Sequence, residues 1–153
     1  MSDGSLTKEA FDRRCVIAEE EGFTVIRSAR NVLLLDLDTP SAASQFLRVF
    51  DAFTRHYVTE GYTAWRSKSG TGWHVRVVLA KNIVSFRDRV ALQAALGSDG
   101  VREFLSLEAS LLGTLERSVL FQPPDSVIHK GSWDSAPPSL YTYAASGQRK
   151  GGT

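Results

Sequence analysis

One cysteine in 153 residues leaves Cys15 with no intrachain disulfide partner, so a small secreted scaffold stapled by disulfides is excluded. With His56, His74 and His129 as the only histidines, a cysteine-rich zinc site is excluded too. Long apolar runs are also missing: none exceeds that of Val32 to Leu35, far too short to cross a bilayer. Met1-Ser2-Asp3-Gly4 has no basic stretch leading into an apolar one, so the sequence predicts a chain that is not secreted and a cytoplasmic location. Proline is scarce, and four of the five lie past residue 122, as Pro123-Pro124 and Pro137-Pro138. What is present is globular: 42% hydrophobic and 23% charged residues, in a length that suits one domain with its own core.

The proline pattern divides the chain into a core over 1–124 and a Pro/Gly/Ser-rich tail over 125–153 with little regular structure. Trp133, Tyr141 and Tyr143 make the tail too apolar for a pure linker, so part of it is expected to pack on the core or on a partner. Net charge is +1, but it is unevenly spread. Between Tyr62 and Val90, Arg66, Lys68, Arg76, Lys81, Arg87 and Arg89 face only Asp88, a segment of +5 against −4 for the rest. Such a stripe suits a partner that carries phosphates, and a solvated surface would look the same.

Helix and strand periodicities predict the order α-β-β-α-β-β-α-α-β. A helix is expected over Thr7 to Glu21, with Phe11, Cys15 and Ala18 inward and Gly22 as its stop. A strand follows over Phe23 to Ser28, then a central strand over Val32 to Asp38, apolar on both faces. Thr39-Pro40 starts a helix with the stripe Phe46, Phe50, Phe53 and Tyr57, expected to run to near Gly61. Tyr62 to Lys68 and Trp73 to Ala80 form a hairpin across Ser69-Gly70-Thr71-Gly72. Ser85 and Asp99 then cap two helices stopped by Gly97 and Gly113; the second has Val101, Phe104, Leu105, Leu111 and Leu112 as its expected buried face. Ser118 to Gln122 is the last strand. The fold class is α+β: an RNA-recognition-like (ferredoxin-like) sheet with helices on one face, plus an extra N-terminal helix and strand.

Asp36 and Asp38 are two apart on a strand, so their side chains leave the same face about 6–7 Å apart. Carboxylates this close repel unless a cation lies between them, and hard oxygen ligands suit Mg²⁺ or Mn²⁺. A solvated strand end before a helix cap explains the same pair without chemistry. On the second hairpin strand, alternation sets Trp73, Val75, Val77 and Leu79 against His74, Arg76, Val78 and Ala80. His74 and Arg76 are thus expected on the face of the aspartates, with Lys68 and Ser69 just upstream, an arrangement suited to an anionic ligand.

The strand ending in Asp36-Leu37-Asp38, followed about thirty residues later by Ser69-Gly70-Thr71-Gly72-Trp73-His74-Val75, resembles the first two motifs of the archaeo-eukaryotic primase superfamily. Leu96-Gly97-Ser98-Asp99-Gly100-Val101-Arg102-Glu103 and Leu120-Phe121 are similar to stretches of small primase-like proteins from phages and mobile elements. The resemblance covers about 25–124. It implies a minimal primase or primase-polymerase, a nucleotidyltransferase that uses nucleoside triphosphates and a single-stranded DNA or RNA template. Asp36 and Asp38 would bind the divalent ions, Mg²⁺ or Mn²⁺, in a two-metal mechanism. His74 would contact the triphosphate, with Arg66, Lys68, Ser69 and Arg76 as further phosphate contacts. A third metal-binding acid belongs on a later strand, where this chain has Gln122; Asp125 and Glu108 are the acids available to replace it.

Two alternatives stand beside this. One is a catalytically weakened primase-like protein that binds nucleotide or nucleic acid within a replication or defence complex, alongside other replication proteins. The other is a phosphotransferase of the haloacid dehalogenase type, since Leu-Leu-Leu-Asp-Leu-Asp-Thr-Pro is also similar to that family's nucleophile strand. That family wants Thr or Val at the position held by Pro40, and the stretch Ser69 to His74 would then have no role.

Overall fold

The structure is a computed structural model and describes residues 8–83, 85–111 and 119–151. Its order is α1 (Lys8–Glu20), β1 (Thr24–Arg27), β2 (Val32–Leu37), α2 (Pro40–Phe53), β3 (Thr59–Arg66), β4 (Trp73–Leu79), α3 (Phe86–Ala95), α4 (Gly100–Leu111), β5 (Val119–Gln122), β6 (His129–Gly131) and α5 (Pro138–Gly151). The expected limits at Thr7, Leu112, Gly113 and Ser118 lie outside the described residues. All strand pairing is antiparallel, in a four-stranded sheet β2-β4-β3-β6 and a separate ribbon β1-β5. The fold is α+β. Among the described residues, no helix is long and apolar enough to cross a membrane.

The strand period builds the core. Leu33, Leu35 and Leu37 of β2 lie on one face with Tyr62 and Ala64 of β3 and Trp73, Val75 and Val77 of β4, and all are buried. The α2 stripe of Ala43, Phe46, Phe50 and Phe53 covers this face, with Phe46 and Phe50 edge-on to Tyr62 at 4.9 and 5.1 Å. Thr39 caps α2 as its sequence predicts, accepting a hydrogen bond from Ala42 N at 3.1 Å. The helix stops at Phe53, earlier than expected; Tyr57 lies beyond it and still stacks on Phe53 at 4.7 Å. Gly61 sits within β3 and does not end α2: at φ +122 a Cβ there would run into the carbonyl of Gly131 on β6.

The tail is part of the domain. β6 extends the sheet beside β3, and α5 packs against α2, burying Leu140 and Ala144 in the same core. The boundary expected at 124 is therefore absent. Pro123-Pro124 and Pro137-Pro138 punctuate elements instead of ending the fold.

The opposite face differs from an uncovered sheet. Val32, Leu34 and Trp65 pack there with Leu120 of the β1-β5 ribbon. A ferredoxin-like arrangement would pair β5 with the free edge of β2; here β5 pairs with β1, and groups from α3, α4 and the turn between them serve that edge. Leu34 N donates to Gln93 Oε1 at 2.9 Å and Asp36 N to Ser98 Oγ at 3.0 Å. In return, Leu34 O accepts from Arg102 Nη1 at 3.3 Å and Asp36 O from Asp99 N at 2.8 Å. Glu103, only 2% exposed, holds this set together by accepting from Gln93 Nε2 at 2.7 Å, Ser98 Oγ at 2.8 Å and Arg102 Nη1 at 2.6 Å. The strand edge is thus satisfied without a neighbouring strand.

This clamp reverses the expected burial of α4. Glu103, Ser106 and Ala109 face inward, whereas Val101, Phe104, Leu105 and Leu111 are exposed by 52 to 68%. The pattern of the helix is amphipathic as read, but its polar side is the one with hydrogen-bonding work to do against β2.

Candidate functional site

Asp36 and His74 are cross-strand partners in the β2-β4 register, and the imidazole Nε2 lies 3.5 Å from the Asp36 carboxylate. The register follows from the apolar alternation of both strands, which turns Asp36 and His74 to the face opposite the α2 core. Trp65, the partner of His74 on β3, meets its ring edge-on at 5.9 Å. With Nε2 aimed at Asp36, the buried Nδ1 of His74 has no hydrogen-bond partner.

Asp38 follows at the exposed end of β2, where the hairpin turn closes over it. Gly72 has no room for a side chain: a Cβ would lie 2.8 Å from Leu37 O and 3.3 Å from the Asp38 Cα. The turn itself is knit by Ser69 Oγ with Thr71 Oγ1 at 2.7 Å and Ser67 Oγ with Gly72 N at 3.2 Å. From the other side, the Tyr143 hydroxyl of α5 lies 2.6 Å from Thr71 O and 3.2 Å from Asp38 O, tying the turn to the strand end.

The two carboxylates are not equivalent. Burial pushes Asp36 up, but the hydrogen bond and charge of His74, a hydrogen bond with Asp38 and the charge of Arg102 outweigh it and hold Asp36 below 3.8. Asp38 is raised from 3.8 to about 6 by desolvation, then by its hydrogen bond with Asp36 and the charges of Asp36 and Asp99, with His74 opposing. Asp99 is the residue that sequence reasoning left out of the site. Its capping role holds, since its carboxylate accepts from Arg102 N at 3.3 Å, but its backbone bond to Asp36 also sets its charge near Asp38. In the sequence Asp99 reads as a helix cap within the stretch 96–103, and nothing local shows that this cap abuts β2.

This asymmetry has a pH signature. The folded chain holds the Asp38 proton more tightly than the unfolded chain, so this group costs stability as pH rises from 3.8 to about 6, and the full cost persists above. Asp38→Asn is therefore expected to melt above wild type at pH 7 to 8. Discounted for solvent screening at an exposed group, the gain is on the order of 1 kcal/mol, roughly 2–4 °C. Thermal melts from pH 3 to 8 check this: the gain should shrink to nothing below 3.8. Asp36→Asn should behave oppositely, because Asp36 is the stabilised member and the His74 ring loses its carboxylate partner.

The basic residues divide. Lys68 lines a pocket of about 350 Å³ together with His74, Arg14, Ile17, Phe23 and Phe121, its ammonium 5.3 Å from the Phe23 ring centre. Arg66 does not join them: it shares the α2 face with its partner Trp73, and its guanidinium lies 5.3 Å from that ring and 5.6 Å from the Tyr143 ring. Arg76 lies on the His74 face but one pair further along the strand, opposite Leu34 and Thr63, and lines other pockets. The single stripe expected from Arg66, Lys68 and Arg76 is thus split over both faces of the sheet.

Gln122 pairs with Thr24 on the ribbon and lines a pocket with Arg76. Asp125 occupies an exposed turn whose Ser126 N and Oγ bond to Pro123 O at 3.1 and 2.7 Å, and Glu108 lies on α4. Among the described residues, no three His, Cys, Asp or Glu side chains gather into a metal-holding group. In comparisons with known proteins, no family model, no curated protein and no solved structure matches this chain.

Proposed function

We propose that this chain is a minimal primase-like nucleotidyltransferase that takes a nucleoside triphosphate and a single-stranded DNA or RNA template at the β2-β4 strand ends. The observation that carries this reading is the pairing of Asp36 with His74 at 3.5 Å, with Asp38 beside them under the Ser69–Gly72 turn. The donor set fits Mg²⁺ or Mn²⁺, because Mg²⁺ is commonly held by one or two carboxylates and completes its shell with water and substrate phosphates. The raised Asp38 points the same way, since a cation relieves the repulsion that keeps its proton on.

Asp36 and Asp38 would hold the divalent ions, which would supply activation of the primer hydroxyl and charge for the incoming triphosphate. Asp36 fixes the orientation of the His74 imidazole, which lines the adjoining pocket, and Lys68 adds a point charge there for phosphate. The Ser69 hydroxyl and the backbone of its turn give further donors at the strand end. The dehalogenase-type phosphotransferase gives no role to this turn or to His74, although both meet the aspartates here.

A second reading, a nucleotide- or nucleic-acid-binding component of a replication or defence complex without synthesis of its own, rests on Gln122. That amide stands where the third acid is expected and pairs with Thr24 on a different ribbon. Incubation with labelled nucleotide, Mn²⁺ and single-stranded DNA separates the two. Strand product supports the transferase, binding without product supports the second reading, and neither binding nor product overturns both.

A further inference from the structure

A second cavity of about 270 Å³ opens on the same sheet face, between the ribbon and β3-β4, and its lining includes Arg27, Thr63, Trp65, Arg76 and Gln122. We propose that it is a separate binding site for a phosphate monoester. The position is distinct from the Asp36–His74 pair: Arg76 is two residues along β4 from His74, and neither Asp36, Asp38 nor His74 lines this cavity.

Its chemistry is one-sided. Arg27 and Arg76 bring two permanent positive charges, and no carboxylate belongs to the lining. Among the described residues, neither guanidinium has a salt-bridge or hydrogen-bond partner. Glu60 lines the neighbouring pocket that shares Thr63 and Arg76, and Lys130 lines that pocket as well. Trp65 also lines the cavity and is only 1% exposed.

Two guanidiniums, a threonine hydroxyl and an amide form a set dominated by donors. A phosphate monoester, with a charge of about −1.5 to −2 at neutral pH, matches two arginines in both charge and acceptor count. A carboxylate or a diester brings about half that charge. The volume leaves space beside the phosphate for part of the group that bears it, against Val25, Ile26 and Ile128. That group is a free mononucleotide or the phosphorylated end of a strand; the phosphate chemistry is shared.

Calorimetric titration with inorganic phosphate, a nucleoside monophosphate, and single-stranded oligonucleotides with and without a terminal phosphate tests the site. Wild type is expected to bind the monoesters, and to prefer the phosphorylated oligonucleotide if strand ends are the source or the mononucleotide if they are not. Arg27→Gln and Arg76→Gln should each weaken this binding about tenfold or more, the loss of a charge-assisted bond. Arg27 is exposed, so its variant tests the site without disturbing the core. Asp36→Asn should leave monoester binding unchanged, which separates this site from the proposed metal site. Absence of monoester binding by wild type, or full binding by the Arg27→Gln, Arg76→Gln double variant, would overturn the proposal.

Discussion

Glu103→Ala is expected to lower the melting temperature by roughly 6–20 °C, the counterpart of about 3–5 kcal/mol for breaking a buried ionic network in a chain of this size. The carboxylate accepts from Gln93, Ser98 and Arg102, and these three side chains in turn carry the N–H groups of Leu34 and Asp36 and the carbonyl of Leu34. Its loss removes the acceptor shared by Gln93, Ser98 and Arg102, and with it the frame that orders the free edge of β2. Glu103→Leu fills the volume but takes the acceptor from Gln93 Nε2 and Ser98 Oγ, so it should also destabilise. Thermal or urea melts measure both; a Glu103→Ala protein that melts within about a degree of wild type would show that this network does not hold the β2 edge.

Asp36→Ala is expected to reduce strand synthesis by about 10²–10³-fold or more while single-stranded nucleic-acid binding persists. Metal chemistry and contact with the phosphate backbone are separate contributions, and only the second varies steeply with salt. Primer-extension assays beside salt-dependent binding curves resolve them. Parallel loss of binding and synthesis in a folded Asp36→Ala protein would contradict the division. Gln122→Glu is not expected to raise synthesis, because its side chain belongs to the cavity of Arg27 and Arg76, where a new carboxylate would pair with arginine. The acid that the structure brings near the aspartate pair is Asp99.

Strand alternation made the sheet legible. The apolar run ending at Asp36 and the turn before His74 both imply one face and one strand end, and the register places them opposite each other. Thr39 and Ser85 signal their caps through local hydrogen bonds that depend on only three residues. Non-local matters were hidden. Periodicity identifies two faces of α4 but not which is buried, and a buried Glu103 follows only once β2 is known to be an edge strand. The C-terminal segment looked like a tail because proline and glycine mark irregular chain; its burial depends on Leu140 and Ala144 meeting α2, which no local pattern reveals. The basic residues read as one stripe because charge is visible in sequence, whereas the side of the sheet that each takes is set by register.

Melting the protein with and without millimolar Mn²⁺ tests whether the Asp36 and Asp38 carboxylates hold a divalent ion. At a hundredfold excess over Kd, a ligand of the native state alone adds about 2.7 kcal/mol, so wild type should melt roughly 5–10 °C higher. The Asp36→Asn, Asp38→Asn double variant should not shift. A wild type whose melting temperature is unmoved by Mn²⁺, or a double variant that shifts as far as wild type, would contradict a metal site at this pair.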